Sequence, residues 1–129
     1  MSTVAVSPVR VRQLLTRALD LFSKGSMDGR FWVQGTEVTN SPILGSRYGY
    51  CSIGAINHVE GFTPEEREAA RIALARMIVR DSYSNYTEED VKNDVRSADD
   101  AIVEFNDEEE TTFSLVREYF SAAMRLFKK

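Results

Sequence analysis

The sequence predicts a mainly α fold: a single compact helical domain of four to six helices, with an aromatic, glycine-rich loop or small β-hairpin over residues 25–50. Three observations carry this. Apolar residues recur at helical spacing in several segments. Most of those segments open on a Ser, Thr or Pro cap signal. Residues 25–50 instead carry Gly25, Gly29, Gly35, Gly45, Gly49 and Pro42 between aromatic clusters. The chain of 129 residues fits one domain spanning 1–129, with residues 1–6 frayed.

Taken in order, Ser7 caps and Pro8 opens a first helix over 8–24. Val11, Leu14, Leu15, Ala18, Leu19 and Phe22 form its apolar stripe, and Gly25 suits the C-terminal cap. Arg30–Gln34 and Ser46–Tyr50 are the candidate strands of the loop region. Cys51 to His58 reads as a short helix ended by Gly61, within which Gly54-Ala55 allows close packing. Thr63-Pro64-Glu65-Glu66 starts a helix that runs to about Arg80 and is apolar nearly all round, which marks a central element. Thr87 starts a weaker helix held by Val91 and Val95, and Ser97 caps another through Phe105, broken by Asn106-Asp107 acting as a cap. Thr111 or Thr112 caps the last helix. Phe113, Val116, Phe120, Ala123 and Phe127 form one stripe of it, and Leu115, Tyr119, Ala122 and Leu126 a second. The helices over 64–80 and 112–127 are expected at the centre.

Charge is uneven. Net charge is −4, yet residues 1–64 hold six Lys/Arg against four Asp/Glu and the remainder ten against sixteen. From Glu88 to Glu110 eleven acids face only Lys92 and Arg96. An acidic chain without a basic stripe argues against nucleic-acid binding, and Arg10, Arg12 and Arg17 neutralise too few phosphates to change that. The acidic run reads first as a solvated face, and alternatively as a surface for a basic partner or a mimic of nucleic acid. One cysteine, Cys51, fits a reducing compartment. With one Cys and one His the usual zinc set is missing, so no metal and no cofactor is expected. No signal peptide or membrane span is visible, which predicts a cytoplasmic protein.

Candidate chemistry is sparse. Cys51 opens a helix, where backbone N–H groups favour a thiolate, and His58 is the single histidine available as its base. Seven residues on one helix separate them by about 10 Å along the axis, too far for a hydrogen bond. A buried structural thiol is the simpler reading, and His58 suits a helix C-terminus. Trp32, Tyr48 and Tyr50 line a binding surface or a satellite aromatic core. Glu108, Glu109 and Glu110 lack the alternating pattern of a calcium loop and read as an acidic contact surface. No phosphate-binding or nucleophile-elbow pattern occurs.

Three stretches in order, Trp32-Val33-Gln34-Gly35, Cys51-Ser52-Ile53-Gly54-Ala55-Ile56 and Phe105-Asn106-Asp107 before a Thr-capped terminal helix, resemble a family of small uncharacterised proteins of actinobacteria and their phages. This chain departs from it by its long acidic stretch and by Phe105 in place of a frequent Trp. The resemblance implies a cytoplasmic protein from a phage or an actinobacterium and supplies no catalytic residues. The expected function is a non-enzymatic interaction protein, phage-encoded, binding a host or phage protein. A cysteine-dependent enzyme using Cys51, with His58 or the Asn106-Asp107 turn brought near by folding, is the alternative. The wide apolar face of the last helix also leaves a homodimer open.

Overall fold

The computed structural model describes residues 6–22, 32, 34, 38–40, 48–81 and 85–127. Six helices form among them: α1 (Pro8–Leu21), α2 (Ser52–His58), α3 (Pro64–Asp81), α4 (Glu88–Asn93), α5 (Val95–Asp107) and α6 (Phe113–Arg125). Two short strands, β1 (Val38–Asn40) and β2 (Tyr48–Tyr50), pair antiparallel with Val38 opposite Tyr50 and Asn40 opposite Tyr48. The mainly α fold with a small hairpin is therefore the observed one. β2 falls inside the expected strand Ser46–Tyr50 and pairs with 38–40, whereas the expected strand Arg30–Gln34 lies, apart from Trp32 and Gln34, outside the described residues. The fraying of residues 1–5 and the cap at Gly25 lie outside the described residues.

The caps explain the helix starts. Ser7 Oγ accepts from Arg10 N, and Pro8 takes the first helical turn, where a missing N–H costs nothing. At α3, Thr63 and Glu66 cap each other: Thr63 N donates to Glu66 Oε1 at 2.9 Å and Glu66 N to Thr63 Oγ1 at 3.1 Å. Thr87 and Asp90 do the same for α4. Thr112 Oγ1 accepts from Leu115 N and starts α6.

Two boundaries correct the sequence expectation. The break between α4 and α5 falls at Asp94, whose side chain accepts from Arg96 N, so Val95 opens α5 and Ser97 lies inside it. Asp94 is extended (φ −146°), which ends one helix and caps the next. Asn106 and Asp107 are helical rather than a left-handed cap; α5 ends at Asp107, with the extended Glu108 as its C-cap.

The long helix α3 lies at the centre and touches α1, α2, α4, α5 and α6. Its Ala70, Ala73, Leu74, Ala75, Met77 and Ile78 are buried, consistent with an apolar surface that wraps more than one face. α6 packs on α3 and α1. Phe22, just past α1, meets Phe113 and Phe120 edge-on at 5.6 and 5.7 Å, while Thr16 reaches Met124, so α1 and α6 run antiparallel. Leu14, Leu15, Phe22, Ile56, Leu74, Ile78, Ile102 and Phe120 are fully buried. Each such side chain contributes about 1.5–3 kcal/mol.

Candidate functional site: a buried amide hub and an acidic turn

The three sequence stretches that carry the family resemblance meet in space at the last turn of α5 and the first turn of α2. Asn106 continues the inward stripe of α5 set by Ala98, Ile102 and Phe105, and it is 0% exposed. Its Oδ1 accepts from Ser52 N at 2.9 Å, from Ser52 Oγ at 2.7 Å and from Trp32 Nε1 at 2.7 Å. Its Nδ2 donates to Asp107 Oδ1 at 3.1 Å. Indole and backbone N–H groups only donate, so they fix which end of the amide faces them. Gln34 Nε2 donates to two backbone carbonyls, Asn106 O and Glu108 O, each at 2.8 Å. Thr111 Oγ1 donates to Phe105 O at 2.7 Å and closes the turn from below. The Trp32 ring packs near Phe113, with centroids 6.4 Å apart.

The hub has little chemistry to offer. The Ser52 hydroxyl proton points to an amide oxygen, which is not a base, so Ser52 is not activated as a nucleophile. Cys51 is 5% exposed and serves as the N-cap of α2: its Sγ accepts from Gly54 N at 3.4 Å. α2 is continuous from Ser52 to His58. Cys51 and His58 therefore stand at its opposite ends, and His58 is exposed. Gly54 and Ala55 are buried where α2 meets its neighbours. Among the described residues, no group of three or more His, Cys, Asp or Glu is placed to hold a metal ion. No helix among them is long and apolar enough to cross a membrane.

The acidic stretch divides sharply by engagement. Glu88 accepts from Arg76 Nε at 3.0 Å and pairs with Arg80 Nη2 at 2.6 Å, and these guanidinium groups, Arg80 first, hold its carboxyl below the usual range. Asp99 pairs with Arg71 at 2.8 Å, yet burial outweighs that cation and pushes its carboxyl up. Glu89 accepts from Asn93, Asp100 from Tyr86, Glu104 from Asn85 and Asp107 from Asn106. Asp90 and Asp94 cap helices. Glu108, Glu109 and Glu110 are different: all three are exposed, and among the described residues their carboxylates have no hydrogen-bond or ion-pair partner.

Of the expected binding residues, Trp32 and Glu108 are brought together through Gln34 and Asn106, and Glu109 and Glu110 continue the same turn. Trp32 is half-buried, so its polar edge serves the hub. Tyr48 and Tyr50 lie in β2; their side chains are outside what is described. Ser52 and Gln34 were not among the expected site residues; Asn106, expected as a cap or as a group brought near Cys51, is the buried acceptor of Ser52 and Trp32. The signal for Asn106 was a polar residue on the apolar stripe of its helix, four residues after Ile102.

The model of a family of unknown function (DUF6197) matches residues 6–126, and the chain belongs to that family. Neither the curated proteins nor the solved structures contain a match to it.

Proposed function

We propose that the protein is a non-catalytic interaction module that presents the α5–α6 turn, with Glu108, Glu109 and Glu110, to a basic surface on a host or phage protein. One observation carries this reading. Eight of the eleven acids between Glu88 and Glu110 are committed to caps, ion pairs or side-chain hydrogen bonds, and the three carboxylates without a partner among the described residues are consecutive and exposed. A consecutive charged cluster fixed on a rigid turn favours an oppositely charged partner by steering and by complementarity. The hub supplies that rigidity, because Gln34 and Thr111 tie down the carbonyls of Asn106, Glu108 and Phe105. The family resemblance supports a phage or actinobacterial source and a cytoplasmic location.

A photo-crosslinking side chain at position 109, compared with one at the exposed Glu65 in the first turn of α3, tests the reading in host cells. One discrete protein adduct is expected from position 109 and none from position 65. The Glu108→Lys/Glu109→Lys/Glu110→Lys variant should abolish it. Equal adducts from both positions, or an adduct that survives the reversal, would sink the proposal.

The cysteine-enzyme alternative has one supporting observation, the N–H of Gly54 directed at Cys51 Sγ. Native-state alkylation decides it. A buried cap cysteine reacts only as fast as the protein opens, whereas an activated thiolate reacts rapidly with an apparent pKa well below about 8.5.

A further inference from the structure

Two of the four methionines, Met77 and Met124, lie among the described residues, and the fold sets them apart. Met77 is 6% exposed within the central helix α3. Met124 stands in the last turn of α6 and is half-buried, packed against the edge of the core. It follows Phe120 by four residues, so it carries the core-facing line of α6 to the point where that line reaches solvent.

Its sulfur lies at the seam between α6 and α1. Thr16 on α1 is exposed, and its Oγ1 is 3.2 Å from Met124 Sδ and 2.9 Å from Arg12 O. The hydroxyl has one proton to divide between a carbonyl and a thioether, and the thioether is a weak acceptor. Arg12 O does not depend on it, because the carbonyl four residues back in an α-helix already receives the helical N–H. Oxidation changes the balance. A sulfoxide is polar and its oxygen is a far better acceptor than a thioether sulfur, so it draws the end of the side chain from the core edge toward Thr16. Met124 O also accepts from Phe127 N at 3.1 Å, so a shift of Met124 is felt in the end of α6. A thiol would ordinarily compete for the oxidant, but Cys51 is 5% exposed beneath the start of α2. We propose that Met124 is a site of reversible oxidation by peroxides, at which the sulfoxide loosens the end of α6 from α1. A lone pair of Sδ attacks one peroxide oxygen. The S–O bond forms as the O–O bond breaks, the sulfur loses two electrons to the peroxide, and water leaves when the oxidant is hydrogen peroxide. A thiol-dependent methionine sulfoxide reductase reverses the step: two thiols supply two electrons and two protons, and a disulfide and water remain.

The full chain treated with millimolar hydrogen peroxide and mapped by peptide mass spectrometry over time tests this. Met124 should gain one oxygen at least about tenfold faster than Met77, which reacts only when α3 opens. The melting temperature should fall by about 4 °C as Met124 is converted. Treatment with the two reductase types, one for each sulfoxide epimer, should restore it. Met124→Leu keeps the volume and the apolar surface, so it should melt within about 2 °C of wild type and keep its melting temperature after peroxide. Met124→Gln puts a polar side chain of similar length at the same place and should show the loss without any oxidant. Oxidation of Met77 as fast as Met124 overturns the proposal. So does a Met124→Leu protein that loses as much as wild type on oxidation, a Met124→Gln protein that melts like wild type, or an oxidised wild type that neither reductase restores.

Discussion

At the scale of single residues, the amide of Asn106 decides how the chain closes around α2. Three donors converge on its Oδ1, the two from Ser52 buried and the one from Trp32 half-buried. Asn106→Ala leaves them without an acceptor, and each buried orphan costs about 1–3 kcal/mol. Because Trp32 can swing outward, the expected loss is about 2–4 kcal/mol in urea unfolding at neutral pH. Trp32→Phe keeps the ring near Phe113 and removes one bond, for about 1 kcal/mol. The double variant should lose less than the two single losses together, because both remove the same interaction. A loss for Asn106→Ala under about 0.5 kcal/mol would mean that the hub is not a closed network. The hub was only half legible in the sequence. Trp32, Gln34, Ser52 and Asn106 stood in the stretches that carry the sequence resemblance, but hydrogen bonds spanning 54 to 74 residues leave no trace in local spacing. Local rules instead gave Asn106 the role that its residue type takes most often outside a core, a helix cap.

At the scale of elements, the starts of helices were legible because capping is a matter of three or four adjacent residues. Ser7-Pro8, Thr63-Pro64-Glu65-Glu66 and Thr112 act as their composition implies. The α4–α5 boundary was not, because Ser97 and Asp94 are both competent caps and tertiary packing chooses between them. Ala98, Ile102 and Phe105 must all face inward, and starting the helix at Val95 gives them a full preceding turn. The connection between α2 and α3 depends on Gly61, which adopts φ +95°. Its carbonyl accepts from Arg10 Nη2, and Arg10 also clasps Glu66 and lies over the Phe62 ring at 4.6 Å. A Cβ at Gly61 would meet only the end of Arg17 at 3.9 Å, an ordinary contact. The cost of Gly61→Ala is therefore conformational, about 1–2 kcal/mol. Gly61→Asn should lose less, because Asn tolerates the left-handed region. Thermal unfolding of the two variants side by side checks this; equal losses would point to a steric cause in place of the backbone one.

At the scale of the whole molecule, the question is which carboxylates make the fold sensitive to acid. A formal count points to the run from Glu88 to Glu110. The contacts point to two residues that join helices. Glu66 is held below the usual carboxylate range by its hydrogen bond from Arg10 and then by the N–H of Thr63, and so ties α1 to α3. Glu88 is held down by Arg80 and Arg76 and ties α3 to α4. A carboxyl lowered on folding contributes stability above its unfolded pKa of about 4.3, and that contribution is lost as pH falls through the lower folded value. Asp99 has the opposite sign. Burial raises it, so its ionisation costs stability, and protonation between its raised value and about 3.9 offsets part of the loss from the other two. The wild-type melting temperature should therefore fall most steeply below about pH 4.3, where Glu66 and Glu88 take up protons. Glu66→Gln/Glu88→Gln should melt lower than wild type at neutral pH and show a flatter profile, the two curves converging at low pH. Glu108→Gln/Glu109→Gln/Glu110→Gln removes as many charges from the densest acidic segment, but these carboxylates have no partner to lose among the described residues. Its profile should run parallel to wild type. If the turn variant flattens the curve and the Glu66/Glu88 variant does not, acid stability is set by bulk repulsion, and the ion pairs between helices are not what joins them.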